Sequence, residues 1–378
     1  MDKRKRVKRG ITIFVLALLL VALGPSIVNL PRVWIACRVW DTPESAEPAS
    51  ADAATREVTN AIPEYRRDED KTYLTLPEWY IVYSTDEYGA FIADHSASDF
   101  PHFKAVGQYW QSYVEVCGVI RGRYPFNGGQ HFTDAFIGIS FTAENMLKGA
   151  YEGTIGRVTK WISSDTPTEE EIYAAQVAME YGNFMHLTPW YFFPFKEKLQ
   201  GLWTETSMWG PDPIRKWERK FALTIEYGGK ALYSGFTNFG AQATYGGADV
   251  EKIYAVTEGV TEAMLSDDLE IIKEIDDKRQ LIFITRFEYF SDTVPALTEG
   301  GVAFVEIAGN HEILFTLLGP QDVNYSNFEN GEYLFDLPIL TRPGLTRVAI
   351  KVRVADIHLF LQELKGPSDI KFEHMYDY

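Results

Sequence analysis

From Ile11 to Leu30 the chain runs twenty positions without a charge. As a helix rising about 1.5 Å per residue, that run would cross the roughly 30 Å hydrocarbon core of a bilayer. The pattern then inverts: "DTPESAEPASADAATREVTNAIPEYRRDEDK", positions 41–71, offers only Val58, Ile62 and Tyr65 as sizeable apolar side chains. Such a stretch cannot build a core of its own and reads as a flexible tether. Beyond it, Phe100, Phe103, Val106, Trp110, Tyr113, Val114 and Cys117 recur at three- and four-residue steps, one buried face of a helix. Three start signals punctuate this region. Ser84-x-x-Glu87 forms a capping box ahead of "YGAFIA"; Thr166, Pro167 and Glu169 form another, whose helix should stop near Leu187 because Pro189 forbids continuation; Asp212-Pro213 opens a third.

After about Gly247 the period shortens to two. "LEIIKEI" and "QLIFITRFEYF" flank the turn "DDKR", and a short helix is expected near Asp292–Glu299. "VAFVEIA" and "HEILFTLL" flank Gly309-Asn310, and "YSNFE" and "EYLFDLPI" flank Asn330-Gly331, both read as hairpins. "TRVAIKVRV", "ADIHLFLQEL" and "DIKFEHMY" read strand, helix, strand. The expected class is α+β: a single N-terminal transmembrane helix, a helical domain, then an antiparallel-sheet α+β domain of ferredoxin-like order. The expected boundaries are 1–40 for the basic tail and anchor, 41–71 for the tether, 72–245 and 246–378 for the domains. No internal repeat is visible in the residues.

Charge sets the orientation. Residues 1–10 carry +5 of a net −17, leaving −22 on the remainder. Lys3, Arg4, Lys5, Arg6, Lys8 and Arg9 outweigh Arg32 and Arg38 on the far side of the apolar run, which places the amino terminus in the cytoplasm and the body across the membrane. Trp34 and Trp40 suit the headgroup layer. The expected location is a cell inner membrane, single-pass, with a periplasmic or otherwise extracytoplasmic body. A cleaved signal peptide is the rival, but Pro25 directly after Ala22-Leu23-Gly24, and Trp34-Ile35 before Cys37, fit processing sites badly. An acidic body repels phosphate backbones, so nucleic acid is not an expected partner. Cys37 and Cys117 are the two cysteines; the position of Cys37 beside the apolar run argues against their pairing.

Catalytic signatures are sparse: no Gly-x-Ser-x-Gly, His-Glu-x-x-His, Cys-x-x-Cys, Walker loop or Gly-x-Gly-x-x-Gly occurs. Gly149, Gly153 and Gly156 have the wrong spacing for a dinucleotide loop and suit close packing or a helix break. In "NGGQHFTD" a glycine-bearing loop delivers His131, with Asp134 one turn on, a pair suited to general-base work or to metal ligation. Glu144 would join them only with bending, and His186 is read as a core or surface histidine, with a meeting in space with His131 as the alternative. Against this stands the plain reading of a capped helix whose His and Asp face water. The run Trp190, Tyr191, Phe192, Phe193, Phe195 is read as core packing, with lipid contact and a pocket for a small apolar ligand as alternatives. The functional expectation is a membrane-anchored, exported binding or interaction module that holds the bilayer through residues 11–30 and takes a protein or small apolar ligand as partner. The alternative is an exported His/Asp-based or metal-dependent hydrolase. Which cofactor, if any, the protein takes is not determined by these residues.

Overall fold

The computed structural model describes residues 3–37, 52–245, 252–366 and 369–378. Trp40, tether residues 41–51 and the expected domain boundary at 245/246 touch residues outside these. The helices in chain order are α1 (Lys3–Cys37), α2 (Ala53–Thr59), α3 (Lys71–Asp94), α4 (His102–Ile120), α5 (Gly128–Tyr151), α6 (Arg157–Trp161), α7 (Glu169–Leu187), α8 (Phe195–Thr204) and α9 (Pro213–Tyr245). Strands β1 (Lys252–Glu258), β2 (Leu269–Glu274) and β3 (Arg279–Thr285), helix α10 (Glu288–Glu299) and strand β4 (Ala303–Ile307) follow. Then come β5 (Glu312–Pro320), β6 (Gly331–Pro338), β7 (Leu345–Arg353), α11 (Ile357–Glu363) and β8 (Lys371–Tyr376). Two compact units result. One comprises Met1–Val33, Trp79–Gln111 and Phe132–Gly246; the other Trp34–Glu78, Ser112–His131 and Gly247–Tyr378.

Helix α1 carries a segment, Leu16–Cys37, that is long and apolar enough to cross a membrane. It continues seven residues past the charge-free run, through Pro31 and Arg32, and ends on Cys37. That extension brings Cys37 to α4, where it is disulfide-bonded to Cys117 with Cα atoms 4.4 Å apart, against the expectation that the two stay unpaired.

Val106, Trp110, Tyr113 and Cys117 of α4 are buried as their period implies, but Phe103 on the same expected face is exposed and Phe100 precedes the helix; the caps depart further. Ser84 lies inside α3, which begins thirteen residues earlier at Lys71. Helix α7 is capped by Thr168, not Thr166, and Glu171, not Glu169, completes the box. In α7 the cause is local: Thr166-x-x-Glu169 and Thr168-x-x-Glu171 offer the same spacing two residues apart, and the second is the one that caps. The end at Leu187 and the start at Pro213 are as expected. Between α5 and α6 the helix widens into a π turn over Glu152–Gly156.

The second unit holds two four-stranded antiparallel sheets, ordered β2-β3-β1-β4 and β6-β7-β5-β8. Each is built β-β-β-α-β, in place of the β-α-β-β-α-β order of a ferredoxin-like domain. The two orders are identical, and so are the places where register slips. β2–β3 slips between Ile271 and Lys273 and β6–β7 between Tyr333 and Phe335; β1–β4 slips at Val256/Thr257 and β5–β8 at Thr316/Leu317. The unit is therefore an internal structural repeat, residues 252–307 and 312–376, that the residues themselves do not display. Phe290, Val294 and Leu297 of α10 and Phe360 of α11 share one core with strands of both sheets.

The join between the halves corrects a hairpin. Ala308 and Gly309 take positive φ, 51° and 75°, and Ile307 and Asn310 bond across them at 2.8 and 3.1 Å. The tight turn forms one residue earlier than its Gly-Asn signal, and its strands then part to different sheets. "YSNFE" is no strand either; Tyr325–Asn327 is a 3₁₀ turn and β6 pairs with β7.

Residues 52–71 are bound to this unit, against their reading as tether. Val58 and Tyr65 pack with Val256 and Leu281. Arg67 donates to the carbonyls of Tyr378 (2.9 Å) and Lys252 (2.8 Å). Thr72 donates to Tyr376 O (2.7 Å) and accepts from Leu314 N (3.0 Å). A segment too polar to form a core can still complete one.

Candidate functional site

Helix α5 begins as the glycine loop implied: Asn127 Oδ1 accepts from Gln130 N at 3.2 Å. His131 sits in its first turn, buried, its ring stacked on Phe126 at 4.5 Å. The hydroxyl of Tyr113 lies 2.8 Å from Nδ1, and Cys37 Sγ lies 3.9 Å from the same nitrogen. Burial pushes the imidazole down to about 4, so it is neutral near pH 7. Asp134 is fully buried, and its backbone carbonyl accepts from Tyr109 at 2.6 Å. His186 bonds Asp86 (Nε2 to Oδ2, 2.6 Å) with Trp79 edge-on to its ring.

The aromatic run divides. Phe193 and Phe195 are buried with Tyr173, Val177, Leu202, Leu223 and Tyr227. Trp190 stacks near Tyr233 at 5.1 Å and Tyr191 against Phe192 at 4.7 Å. Phe192 is 52% exposed. Core packing accounts for the first pair, while Phe192 faces outward.

The most developed site is one the residue pattern did not single out. Four helices of the first unit present the same spacing to a common cavity of about 80 Å³: Ile81, Ser84, Thr85 and Tyr88 from α3; Phe141, Glu144, Asn145 and Lys148 from α5; Ala174, Val177, Ala178 and Tyr181 from α7; Leu223, Glu226, Tyr227 and Lys230 from α9. Each set is i, i+3, i+4, i+7, the seam of a helical bundle. His102 at the start of α4 and Phe195 of α8 complete the wall. The volume suits a few waters or one small molecule.

Its charges alternate. Lys148 bonds Glu226 at 2.8 Å; Lys230 bonds Glu144 at 2.8 Å and lies 3.8 Å from Glu226. The two ammonium groups also face aromatic rings, Lys148 over Tyr88 at 4.0 Å and Lys230 over Tyr181 at 4.8 Å. Burial opposes ionisation of Glu226, but Lys148 and Lys230 overcome it and hold the carboxyl at about 2. Burial likewise opposes charge on Lys148, and Glu226, with Tyr88 and Glu144, keeps it protonated.

His102 is set apart. Burial, then the neighbouring Lys148, push it down to about 4. Asn145 Nδ2 donates to Phe141 O at 3.2 Å, which turns Oδ1 toward His102 Nδ1 at 2.9 Å. A neutral imidazole bonded to a carbonyl oxygen carries its proton there, so Nε2 is an acceptor. That nitrogen is buried and has no hydrogen-bond partner among the described residues.

Two other polar clusters are self-satisfied. Arg215 grips Glu171 (2.7 Å), Arg219 grips Glu152 of the π turn (2.8 Å), and Lys216 meets Glu169 and Glu170 (2.8 and 3.0 Å). This lattice clamps the α7 N-terminus to α9. Ser291 Oγ lies 2.8 Å from His374 Nδ1, but Glu288 approaches the same nitrogen at 3.5 Å, and Oγ is tied to Met375 N and O. Compared with protein-family models, characterised proteins and solved structures, the chain matches none.

Proposed function

We propose that the protein is a membrane-anchored binding module, its body exported, whose helical unit holds a small polar molecule in the cavity around His102, Lys148, Glu226 and Lys230. The observation that carries this reading is His102 Nε2, a buried acceptor without a partner among the described residues, on a residue that lines a cavity whose charges already balance one another. An unmet buried acceptor costs about 1–3 kcal/mol. A ligand that donates from a hydroxyl or amine recovers it, and Tyr88, Tyr181 and Phe195 supply walls for its carbon skeleton. The apolar length of α1 and the basic residues ahead of its apolar run support an inner-membrane anchor with the amino terminus inside.

The hydrolase reading rests on His131 and Asp134 and carries less. The imidazole is stacked on Phe126 and faces Tyr113 and sulfur through Nδ1, neighbours that do not raise its basicity.

Glycerol, ethanolamine and acetate test the cavity as probes of full-length protein in detergent. The two donors should raise the unfolding temperature of wild type and leave His102→Phe unmoved; acetate should affect neither. Equal shifts in both proteins, or none in either, reject the cavity. For the anchor, alkaline phosphatase fused after Tyr378 should be active in cells, and an inactive fusion with a fluorescent cytosolic counterpart would reverse the orientation.

A further inference from the structure

We propose that Cys37, Cys117 and His131, once their disulfide is reduced, form a binding site for a thiophilic metal ion of the Zn(II) class. This stands apart from the cavity and does not depend on it. The three residues come from separate segments: the last residue of α1, the inner face of α4 and the first turn of α5. Their ligating atoms lie within 4.8 Å of one another, and all three residues are buried. Among the described residues no other His, Cys, Asp or Glu cluster meets that criterion.

The distances suit a tetrahedral ion. With metal–sulfur and metal–nitrogen bonds of about 2.3 and 2.0 Å, neighbouring ligand atoms sit roughly 3.5–3.8 Å apart. Cys37 Sγ is already 3.9 Å from His131 Nδ1. Only the two sulfurs must separate, which reduction permits. Phe126 stacks on the imidazole at 4.5 Å between ring centroids, and the Tyr113 ring lies near-parallel to it at 5.8 Å. The ligand ring is thus oriented before any ion arrives, and Tyr113 exchanges its contact with Nδ1 for the metal's. Two sulfurs and one nitrogen leave a fourth position for water, the donor set of a soft d¹⁰ cation.

The chemistry balances with a phosphine as reductant. The phosphine takes the sulfur–sulfur bond's oxidising equivalents and a water oxygen to become phosphine oxide, and each sulfur gains one proton and one electron. Binding Zn(II) then releases those two thiol protons to solvent. The same pair is therefore a covalent staple when oxidised and a metal site when reduced.

The test uses full-length protein in detergent, reduced with a phosphine that is then removed, and titrated with Co(II). The reduced protein should show thiolate-to-cobalt absorption in the near ultraviolet and tetrahedral visible bands, saturating at one equivalent and bleached by Zn(II). Unreduced protein, which keeps its staple, should show neither. His131→Ala and the milder His131→Asn should weaken binding at least about tenfold, the lower end of what losing even an outer-sphere partner costs, and shift the visible bands. Cys117→Ser should leave at most half of the sulfur band, from Cys37 alone, in a chain whose helicity by circular dichroism is retained. A reduced, helical protein without the sulfur band overturns the proposal. So does a His131 variant that titrates like wild type, or a chain that loses its helicity on reduction.

Discussion

His102 and Glu226 make the helical unit acid-sensitive, and the sign follows from the directions of their shifts. His102 falls from 6.5 to about 4 in the fold, so the unfolded chain binds the proton more readily. Its contribution is complete above 6.5 and drains as pH falls through 4. Glu226, held down from 4.5 to about 2, contributes above 4.5 and is lost toward 2. Asp70 runs the other way: burial raises it from 3.8 to about 6, so it costs stability above 6 and is relieved below 3.8. Between 6 and 4 the His102 and Asp70 slopes oppose each other, so the difference between variant and wild type reports His102: in chemical denaturation His102→Gln should gain stability relative to wild type as pH falls from 6.5 to 4. Lys148→Met strands Glu226 beside Lys230 alone and should cost about 3 kcal/mol, the low end for a broken buried pair because both side chains keep some exposure. Adding Glu226→Leu should recover part of that loss; a double variant no better than the single would remove the ion pair from the account.

At the scale of elements, caps and close approaches decide what periodicity leaves open. Thr168→Ala should destabilise by about 1 kcal/mol and Thr166→Ala by nearly nothing, since Thr168 accepts from Glu171 N while Glu171 bonds back to Thr168 N. Equal losses on thermal unfolding would contradict the cap. In β6, a Cβ on Gly331 would sit 2.6 Å from Ile350 and 2.7 Å from Phe360. Gly331→Val should therefore cost about 1–3 kcal/mol by overpacking, and an unchanged denaturation midpoint would refute it. Asn330-Gly331 does mark a boundary in the sequence, but the glycine is required by the α11 ring across the sheet and not by a hairpin turn. Polar residues at bundle-seam positions were the available signal for the cavity: Ser84, Glu144, Lys148, Glu226 and Lys230 all fall on the repeat that otherwise carries apolar side chains. That signal is visible only when four helices are aligned against one another.

Across the whole molecule, the consequential difference lies at residues 52–72, which the C-terminal sheets capture. Arg67→Ala deletes two charge-assisted bonds to backbone carbonyls and should cost about 2–3 kcal/mol; a change under half that would mean the segment is loosely held. The residues alone determine the long N-terminal helix, the helical region before the β region, and most strand positions, because hydrophobic period and helix-breaking prolines act within a few neighbours. Tertiary structure decides everything that depends on distant partners. It joins Cys37 to Cys117, repeats β-β-β-α-β in two sheets from halves with no shared motif, and sends the strands flanking Ala308-Gly309 to different sheets. It also turns His102, one undistinguished histidine, into a buried acceptor, because a side chain's proton and partners are set by the surfaces that close around it.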